Sequence, residues 1–495
     1  MRYRIVPLTV IGTALACLTA ALPMQEPASR NDQAEAIRRM LIGLHEDGQF
    51  TGSVLVAQAG NVIYRDAIAS TPDDARKLLT SPSDIGSVAK GFTAMAVMML
   101  AEQGRLSYDD LIARHVTELT GATPGITIRH LLTHTSGIPD VGDLGIDRPD
   151  LRERDVLDAI QTHHGRFARP GLKYRYSNTG YILLAMAVEN ITGRTFDAFL
   201  QSAIFDPLGM NNTRPERGPR TAEEAKGFGG LFSTADDLLK WDQALASSDK
   251  LVRAKTLMDG LVPPKVAESE STYAFGWNVV QKDGDTYMWH QGNAGGPRAF
   301  LGRRLRDRIA IIILTRGNSR RLEIADAIVN ILHGRPFVPP KLSLARRLLA
   351  VIDAQGADAA LALYEQLRGT AATRYDFSEA ELNGLGYTLL DRRRNVDAIR
   401  VFELNARQFP SSSNAFDSLG EALSRSGRRA EAAQAYSRAL ELDPSNVNAR
   451  AKLQELKSRT WQLTAAAAVL VVGVSGAWFL FSRLKRAVAS GPARE

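Results

Sequence analysis

The chain has 495 residues, 44% of them hydrophobic and 23% charged, a balance typical of globular proteins at a length that suits about two to four domains. Its formal net charge of +7 is modest and spread out, with no long basic run outside the C-terminal tail, so nucleic acid is not an expected partner. The single cysteine, Cys17, lies in the N-terminal apolar stretch, which leaves a processed chain without an internal disulfide.

Arg2 and Arg4 precede an almost wholly apolar or small run from Ile5 to Leu22. This is the layout of an export signal, expected over 1–24 with cleavage near Ala20 or Ala21; an uncleaved N-terminal anchor is the alternative. Ala14-Leu15-Ala16-Cys17 makes a poor lipoprotein signal, because alanine stands three before the cysteine.

Ala34 to Leu44 has the pattern of an amphipathic helix. Phe50 to Gln58 reads as a strand, Ala59-Gly60-Asn61 as its turn, and Val62 to Arg65 as the returning strand. Ile85-Gly86-Ser87-Val88-Ala89-Lys90 then runs into apolar helix-formers up to Leu100. That helix is apolar nearly all round, so it should be central and buried. Ser87 stands at its start and Lys90 one turn later, on the same face. A buried amine loses its charge readily, so Lys90 could take the Ser87 proton and leave a nucleophile at a helix N-terminus. Ser-x-x-Lys also occurs at Ser247-Ser248-Asp249-Lys250, a polar turn, and at Ser482-Arg483-Leu484-Lys485 in the basic tail. Neither leads an apolar helix.

Ile126 to Pro139 begins as a helix and ends as a loop at Gly137 and Pro139. His130 and His134 are four apart, but no third ligand stands at a suitable spacing, so no metal is expected. Pro170 to Gly180 is a turn and short loop, and Tyr181 to Glu189 a buried helix. Gly227 to Leu231 bends, and Ser233-Thr234 caps a helix with early carboxylates. Tyr273 to Val280, Thr286 to His290 and Ile309 to Leu314 read as strands, the last as a central one, and Leu322 to Leu332 as a closing helix. Two outer helices on one antiparallel sheet, with a helical insertion between its first and last strands, make a mixed α/β domain over 33–336.

From Leu342 the composition turns to alanine, leucine and arginine with helical period. Residues 381–414 and 415–448 align over 34 positions without a gap: Leu385 with Leu419, Gly386 with Gly420, Ala398 with Ala432, Phe402 with Tyr436, Pro410 with Pro444. The period and pattern resemble the tetratricopeptide repeat, and Gly356, Ala360 and Tyr364 suggest a degenerate earlier copy. A helical-repeat segment is expected over 342–456, with a protein partner as one possible ligand. Leu463 to Phe481 carries no charge. Its nineteen residues would span about 28 Å as a helix, and Arg483, Lys485 and Arg486 follow. A membrane helix over 463–481 with a cytoplasmic tail over 482–495 is expected.

Three patterns occur in order: Ser87-x-x-Lys90, Tyr176-Ser177-Asn178 and His290-Gln291-Gly292. Together with His130-Leu131-Leu132-Thr133-His134-Thr135-Ser136-Gly137, Pro207-Leu208-Gly209-Met210 and Gly230 to Leu238, they resemble the serine β-lactamase and penicillin-binding-protein superfamily, specifically its class C β-lactamase-like hydrolases. The resemblance covers residues from about 35 to 335. It implies an acyl-enzyme on Ser87, with Lys90 accepting its proton and Tyr176 passing the proton to the leaving group. It further implies that Asn178 bonds Lys90 and the substrate amide, that the N–H groups of Ser87 and Asn293 form the oxyanion hole, and that no cofactor is needed. The third motif departs from the lysine form of the related signature. His290 is a weak cation near neutral pH, which disfavours a substrate carboxylate; Arg298 could compensate or be a surface residue. The expectation is a membrane-tethered serine hydrolase facing the periplasm or cell exterior, acting on an ester or amide of a small molecule or peptide. A D-alanyl peptidase or β-lactamase, and an inactive interaction protein using its repeats, are the alternatives.

Overall fold

A computed structural model describes residues 29–215, 223–247, 250–317 and 319–457. The expected export signal, the membrane span over 463–481 and the tail lie outside the described residues. Among the described residues no helix is long and apolar enough to cross a membrane. The chain divides into two compact units, the first ending at Pro340 and the second beginning at Lys341.

The first unit opens with helix α1 (Arg30–Glu46) and the hairpin β1 (Gly52–Gln58) and β2 (Asn61–Ile68). Ser29 and Asp32 close a capping box at the start of α1, satisfying N–H groups that would otherwise have no partner. After a single 3-10 turn at Gly86–Val88 comes α2 (Ala89–Glu102), then the short α3 (Ile128–Leu132), α4 (Glu153–His163), α5 (Asn178–Thr192) and α6 (Ala235–Ala246). The chain returns through β3 (Asn278–Lys282), β4 (Asp285–Asn293), β5 (Pro297–Arg304) and β6 (Ile309–Arg316) to α7 (Arg321–Leu332).

The six strands form one antiparallel sheet in the order β2-β1-β6-β5-β4-β3. The hairpin near the N-terminus therefore pairs with the last strand, which closes the unit around its helical insertion. β6 explains the fully apolar run. Ile309, Ile311 and Ile313 pack with Ile37 and Leu41 of α1 and Ile324 and Ile328 of α7. Ala310, Ile312 and Leu314 face the other core, with Phe92 and Met95 of α2 and Leu183 of α5. A strand buried on both faces has no polar alternation to show.

α2 is buried on every side except at Met99, Ala101 and Glu102, as its all-round apolar surface requires. Phe92 stacks 4.4 Å from Trp241 of α6 and 5.5 Å from Phe205.

Two strand expectations are corrected. Tyr273 to Val280 is not one strand: only Asn278 onward joins the sheet ladder, and Tyr273 makes an isolated bridge before a turn at Gly276. β5 was not anticipated at all. Its run contains Arg298, Gly302, Arg303 and Arg304, yet Arg303 and Arg304 are buried because Asp242 and Asp283 pair with them. Buried ion pairs hide a strand from any apolar pattern.

The second unit is a series of helical hairpins: α8 (Leu344–Gln355) with α9 (Ala357–Thr370), α10 (Glu379–Asp391) with α11 (Asn395–Gln408), and α12 (Ser413–Arg425) with α13 (Arg429–Leu442). The matched glycines do one job. A Cβ on Gly386 would stand 2.4 Å from the Phe402 ring, and one on Gly420 2.8 Å from the Tyr436 ring. Each aromatic of the second helix thus seats directly on the backbone of the first. Gly356 and Tyr364 of the degenerate copy fall at the turn and on α9 of the first hairpin.

Candidate active site

Ser87 lies in the 3-10 turn that leads into α2, and Lys90 one turn on. Lys90 is fully buried. Its Nζ donates to Ser87 Oγ at 3.1 Å, to Asn178 Oδ1 at 2.7 Å and to the Phe228 carbonyl at 2.8 Å. None of these three acceptors carries a charge. Burial pulls the ammonium down to about 7, with the more distant Asp140 opposing.

Two tight backbone approaches set the Ser87 turn against the sheet. Gly86 takes a φ of +49°, in the region glycine tolerates best. A Cβ on Gly292 of β4 would fall 1.8 Å from the Ile85 carbonyl oxygen, and one on Gly86 2.6 Å from the Asn293 nitrogen. Only two glycines let the third motif lie flat on the Ser87 turn, and they bring the Asn293 backbone beside it.

Tyr176 precedes α5, whose N-cap Ser177 accepts the Gly180 N–H. The Tyr176 ring centroid is 4.9 Å from Lys90 Nζ. Burial raises its phenol above the ordinary range, while a hydrogen bond to Ser87 opposes that rise. The phenol is therefore a neutral donor beside an amine held down to about 7: two groups whose surroundings push their protons in opposite directions. Asn178 is held by Asp140, which accepts from its backbone N–H at 2.5 Å and from Nδ2 at 3.3 Å. The carboxylate thereby turns Asn178 Oδ1 toward the lysine.

His290 is buried at 4% exposure. Its Nδ1 donates to the Gln291 carbonyl at 2.8 Å, so Nε2 accepts from the Tyr273 hydroxyl at 2.9 Å. Burial and then the charge of Lys90 pull its imidazolium down to about 3. His290 is thus neutral at physiological pH, and both its nitrogens are engaged within the protein. A neutral ring agrees with the expectation that His290 is at most a weak cation near neutral pH, and burial is the cause. Arg298 is half-buried rather than on the surface and stands opposite Asn293 in the β4–β5 ladder.

The structure thus brings Ser87, Lys90, Tyr176 and Asn178 together, sets Gly292 and Asn293 beside them, and puts the His290 ring 6.5 Å from the Tyr176 ring. His134 and Asp140 were missed as neighbours of the site. Both lie in or just after the Thr133-His134-Thr135-Ser136-Gly137 stretch, whose density of small polar residues was the available signal. Arg321 of α7 was also missed: its Nη2 donates to Gln291 Oε1 at 2.9 Å and to Asn293 Oδ1 at 3.0 Å. Nothing in its sequence context marks it. His130, by contrast, closes the capping box of α3 with Thr127, a structural task. Among the described residues no group of three His, Cys, Asp or Glu side chains could hold a metal ion.

Comparison with known proteins bears on this geometry. The chain is 28% identical to Penicillin-binding protein 4* of Bacillus subtilis (strain 168) over 360 residues, covering 63% of this chain and 79% of that protein. It is 30% identical to Protein flp of Staphylococcus aureus (strain NCTC 8325 / PS 47) over 196 residues, 37% of this chain and 38% of that one. In fold it is similar to the octameric penicillin-binding protein homologue from Pyrococcus abyssi, with a TM-score of 0.54 at 23% identity, over 64% of this chain and 81% of that one. It is likewise similar to D-amino acid amidase from Ochrobactrum anthropi SV3 complexed with L-phenylalanine, with a TM-score of 0.51 at 23% identity, over 61% and 99%. The second unit matches the tetratricopeptide repeat over 413–446. The family described as Beta-lactamase matches residues 37–334, more than half of the chain, from within α1 to beyond α7 and including the Ser87 site, so this protein belongs to the beta-lactamase family.

Proposed function

We propose that the first unit is a serine hydrolase of the class C β-lactamase-like kind, cleaving an ester or amide through an acyl-enzyme on Ser87. The observation that carries this reading is the Lys90 amine, fully buried, pulled down to about 7 and 3.1 Å from Ser87 Oγ. A neutral fraction of that amine is present at physiological pH and can take the hydroxyl proton as Oγ bonds to the carbonyl carbon. The N–H groups of Ser87 and Asn293 receive the oxyanion. Tyr176, a neutral phenol hydrogen-bonded to Ser87, passes the proton to the leaving group. Water then attacks the acyl carbon, gives its proton back along the same route, and restores Ser87. Asn178 orients Lys90 and the substrate amide.

Neutral His290 favours a substrate without a carboxylate at that position. A D-alanyl peptide or β-lactam is the second reading, favoured by Arg298 and Arg321 beside Asn293 and by the penicillin-binding relative. Purified protein incubated with a fluorophosphonate should carry the adduct on Ser87 by mass spectrometry. An adduct on Ser247, or equal labelling of Ser87→Ala, would refute the assignment. Rates on a p-nitrophenyl ester, a p-nitroanilide, a chromogenic cephalosporin and a D-alanyl peptide then separate the two substrate readings.

The N-terminal charge and apolar layout and the uncharged run over 463–481 support export and C-terminal anchoring, with hydrolase and repeats facing away from the cytoplasm. The repeats would offer a protein partner a surface there. Protease added to spheroplasts should digest the hydrolase; protection would overturn that topology.

A further inference from the structure

The stretch from His130 to Gly137 holds a residue that the acyl-enzyme reading leaves without a task. His134 is buried at 1% exposure, in a left-handed backbone conformation with φ +56°. Its backbone carbonyl accepts the Arg175 N–H at 2.8 Å, and its ring Nδ1 accepts the Ser177 N–H at 3.1 Å. These are the residues on either side of Tyr176. The His134 ring also lies against the Tyr176 ring, centroids 4.3 Å apart and planes tilted by 39°. Because Nδ1 accepts, the ring proton sits on Nε2, and that nitrogen finds no partner among the described residues.

A buried donor without a partner and a left-handed non-glycine residue both work against stability. Neither is needed to fill an apolar cage formed with Tyr181 at 5.1 Å and Tyr273 at 4.4 Å; a leucine would do that without an orphaned nitrogen. What a leucine lacks is the acceptor that the Ser177 N–H requires.

We propose that His134 is the positioning residue for Tyr176: it clips the backbone on both sides of the tyrosine and backs its ring, so that the phenol hydroxyl stays on Ser87. This rests on the acyl-enzyme reading, in which Tyr176 carries a proton. The clip works only with a neutral ring, since a protonated Nδ1 cannot accept. Burial and then the positive charge of Lys90 hold His134 well below its usual value and keep the acceptor available.

The substitutions follow from the geometry. In His134→Asn the amide oxygen stands where Nδ1 stood, and asparagine tolerates the left-handed backbone. His134→Leu removes the acceptor. His134→Gln keeps a polar amide but carries its oxygen one bond too far. With the full chain and a p-nitrophenyl ester, His134→Leu should lower kcat about thirtyfold or more with KM little changed, the scale expected for a misplaced proton-transfer group. His134→Asn should stay within about fivefold of wild type. In a Tyr176→Phe background the leucine substitution should cost less than about threefold, because its effect runs through the missing hydroxyl. If His134→Leu does not fold, thermal unfolding will show it, and the Asn-against-Gln contrast carries the test: Asn active, Gln impaired.

Equal losses in Asn and Leu, equal activity in Asn and Gln, or an undiminished leucine effect without the Tyr176 hydroxyl would each overturn the proposal. Near wild-type rates for Tyr176→Phe alone would instead remove the tyrosine's proton-transfer role on which the proposal rests, while the Ser87 adduct separately tests the acyl-enzyme.

Discussion

Two lysines of the first unit are fully buried, Lys90 and Lys226, and they have opposite surroundings. Lys90 meets a hydroxyl, an amide oxygen and a carbonyl. Lys226 ion-pairs with Glu153 of α4 at 3.0 Å and Glu189 of α5 at 3.3 Å and also donates to the Glu224 carbonyl. Burial pushes the Glu153 carboxyl up to about 7, Lys226 opposing and Glu189 adding to the rise. Depth alone therefore does not make a base. An amine buried among neutral acceptors gives up its proton near neutrality, whereas one buried between carboxylates ties three pieces of chain together. The tie bears on the site. Two residues beyond Lys226, the Phe228 carbonyl accepts from Lys90, and the Gly227 carbonyl between them accepts from Thr93 at 2.6 Å.

Exchanging each lysine for methionine, of similar length and without charge, tests this contrast most directly. Lys90→Met is expected to lower acylation of a p-nitrophenyl ester by about a hundred- to ten-thousandfold without loss of thermal stability, since no buried carboxylate is left unpaired. Lys226→Met should do the reverse. It strands Glu153 and Glu189 and should cost about 3–5 kcal/mol in urea unfolding, with a smaller loss of rate. Equal stability costs in the two variants would break the comparison.

A subtler effect is expected at Gly292. Gly292→Ala forces β4 away from the Ile85 carbonyl, because the added Cβ would sit at 1.8 Å. Acylation should fall by about tenfold or more, since the Asn293 N–H moves with the strand, and a normal rate would separate β4 from the oxyanion hole.

Titration offers the next test. Lys90 must lose its proton to act, so kcat/KM should climb as pH rises toward about 7, by about tenfold per unit below it, and level off above. Stability carries the same signature. The folded value, about 7, lies below the ordinary 10.5. Between the two the unfolded chain binds a proton that the folded chain does not, so this group's cost is full below about 7 and fades as pH rises toward 10.5. Urea midpoints of wild type should gain on those of Lys90→Met across that window.

The smallest effect is expected where the pair is exposed. Lys255 and Asp259 meet at 2.6 Å with side chains 85% and 61% exposed. Lys255→Met should change stability by no more than about 0.5 kcal/mol. A larger change would mean that water screens these pairs less than the contrast between Lys90 and Lys226 assumes.

Much of this was legible locally. The Ser87–Lys90 face, α2, the core strand β6 and the 34-residue repeat all depend on residues within a few turns of one another, so period and spacing expose them. β5 was not legible, because Arg303 and Arg304 look like surface residues until Asp242 and Asp283 are found beside them. Tyr273 was misplaced in a strand for a related reason: an aromatic run reads as sheet, whereas its hydroxyl is spent on His290 ahead of the glycine turn at Gly276.

The sequence by itself determined the helix that Ser87 leads into, the order of the three motifs, the family and the repeat, since each is carried by neighbours along the chain. Tertiary structure alone decided the protonation states. Lys90 is pulled down to about 7 by burial among groups that include Asn178 and Phe228, 88 and 138 residues away. His290 is neutral for the same reason, and His134 reaches Ser177, next to Tyr176, across 43 residues. A charge's stability depends on the water and dipoles around it, and those are supplied by whatever the fold brings near.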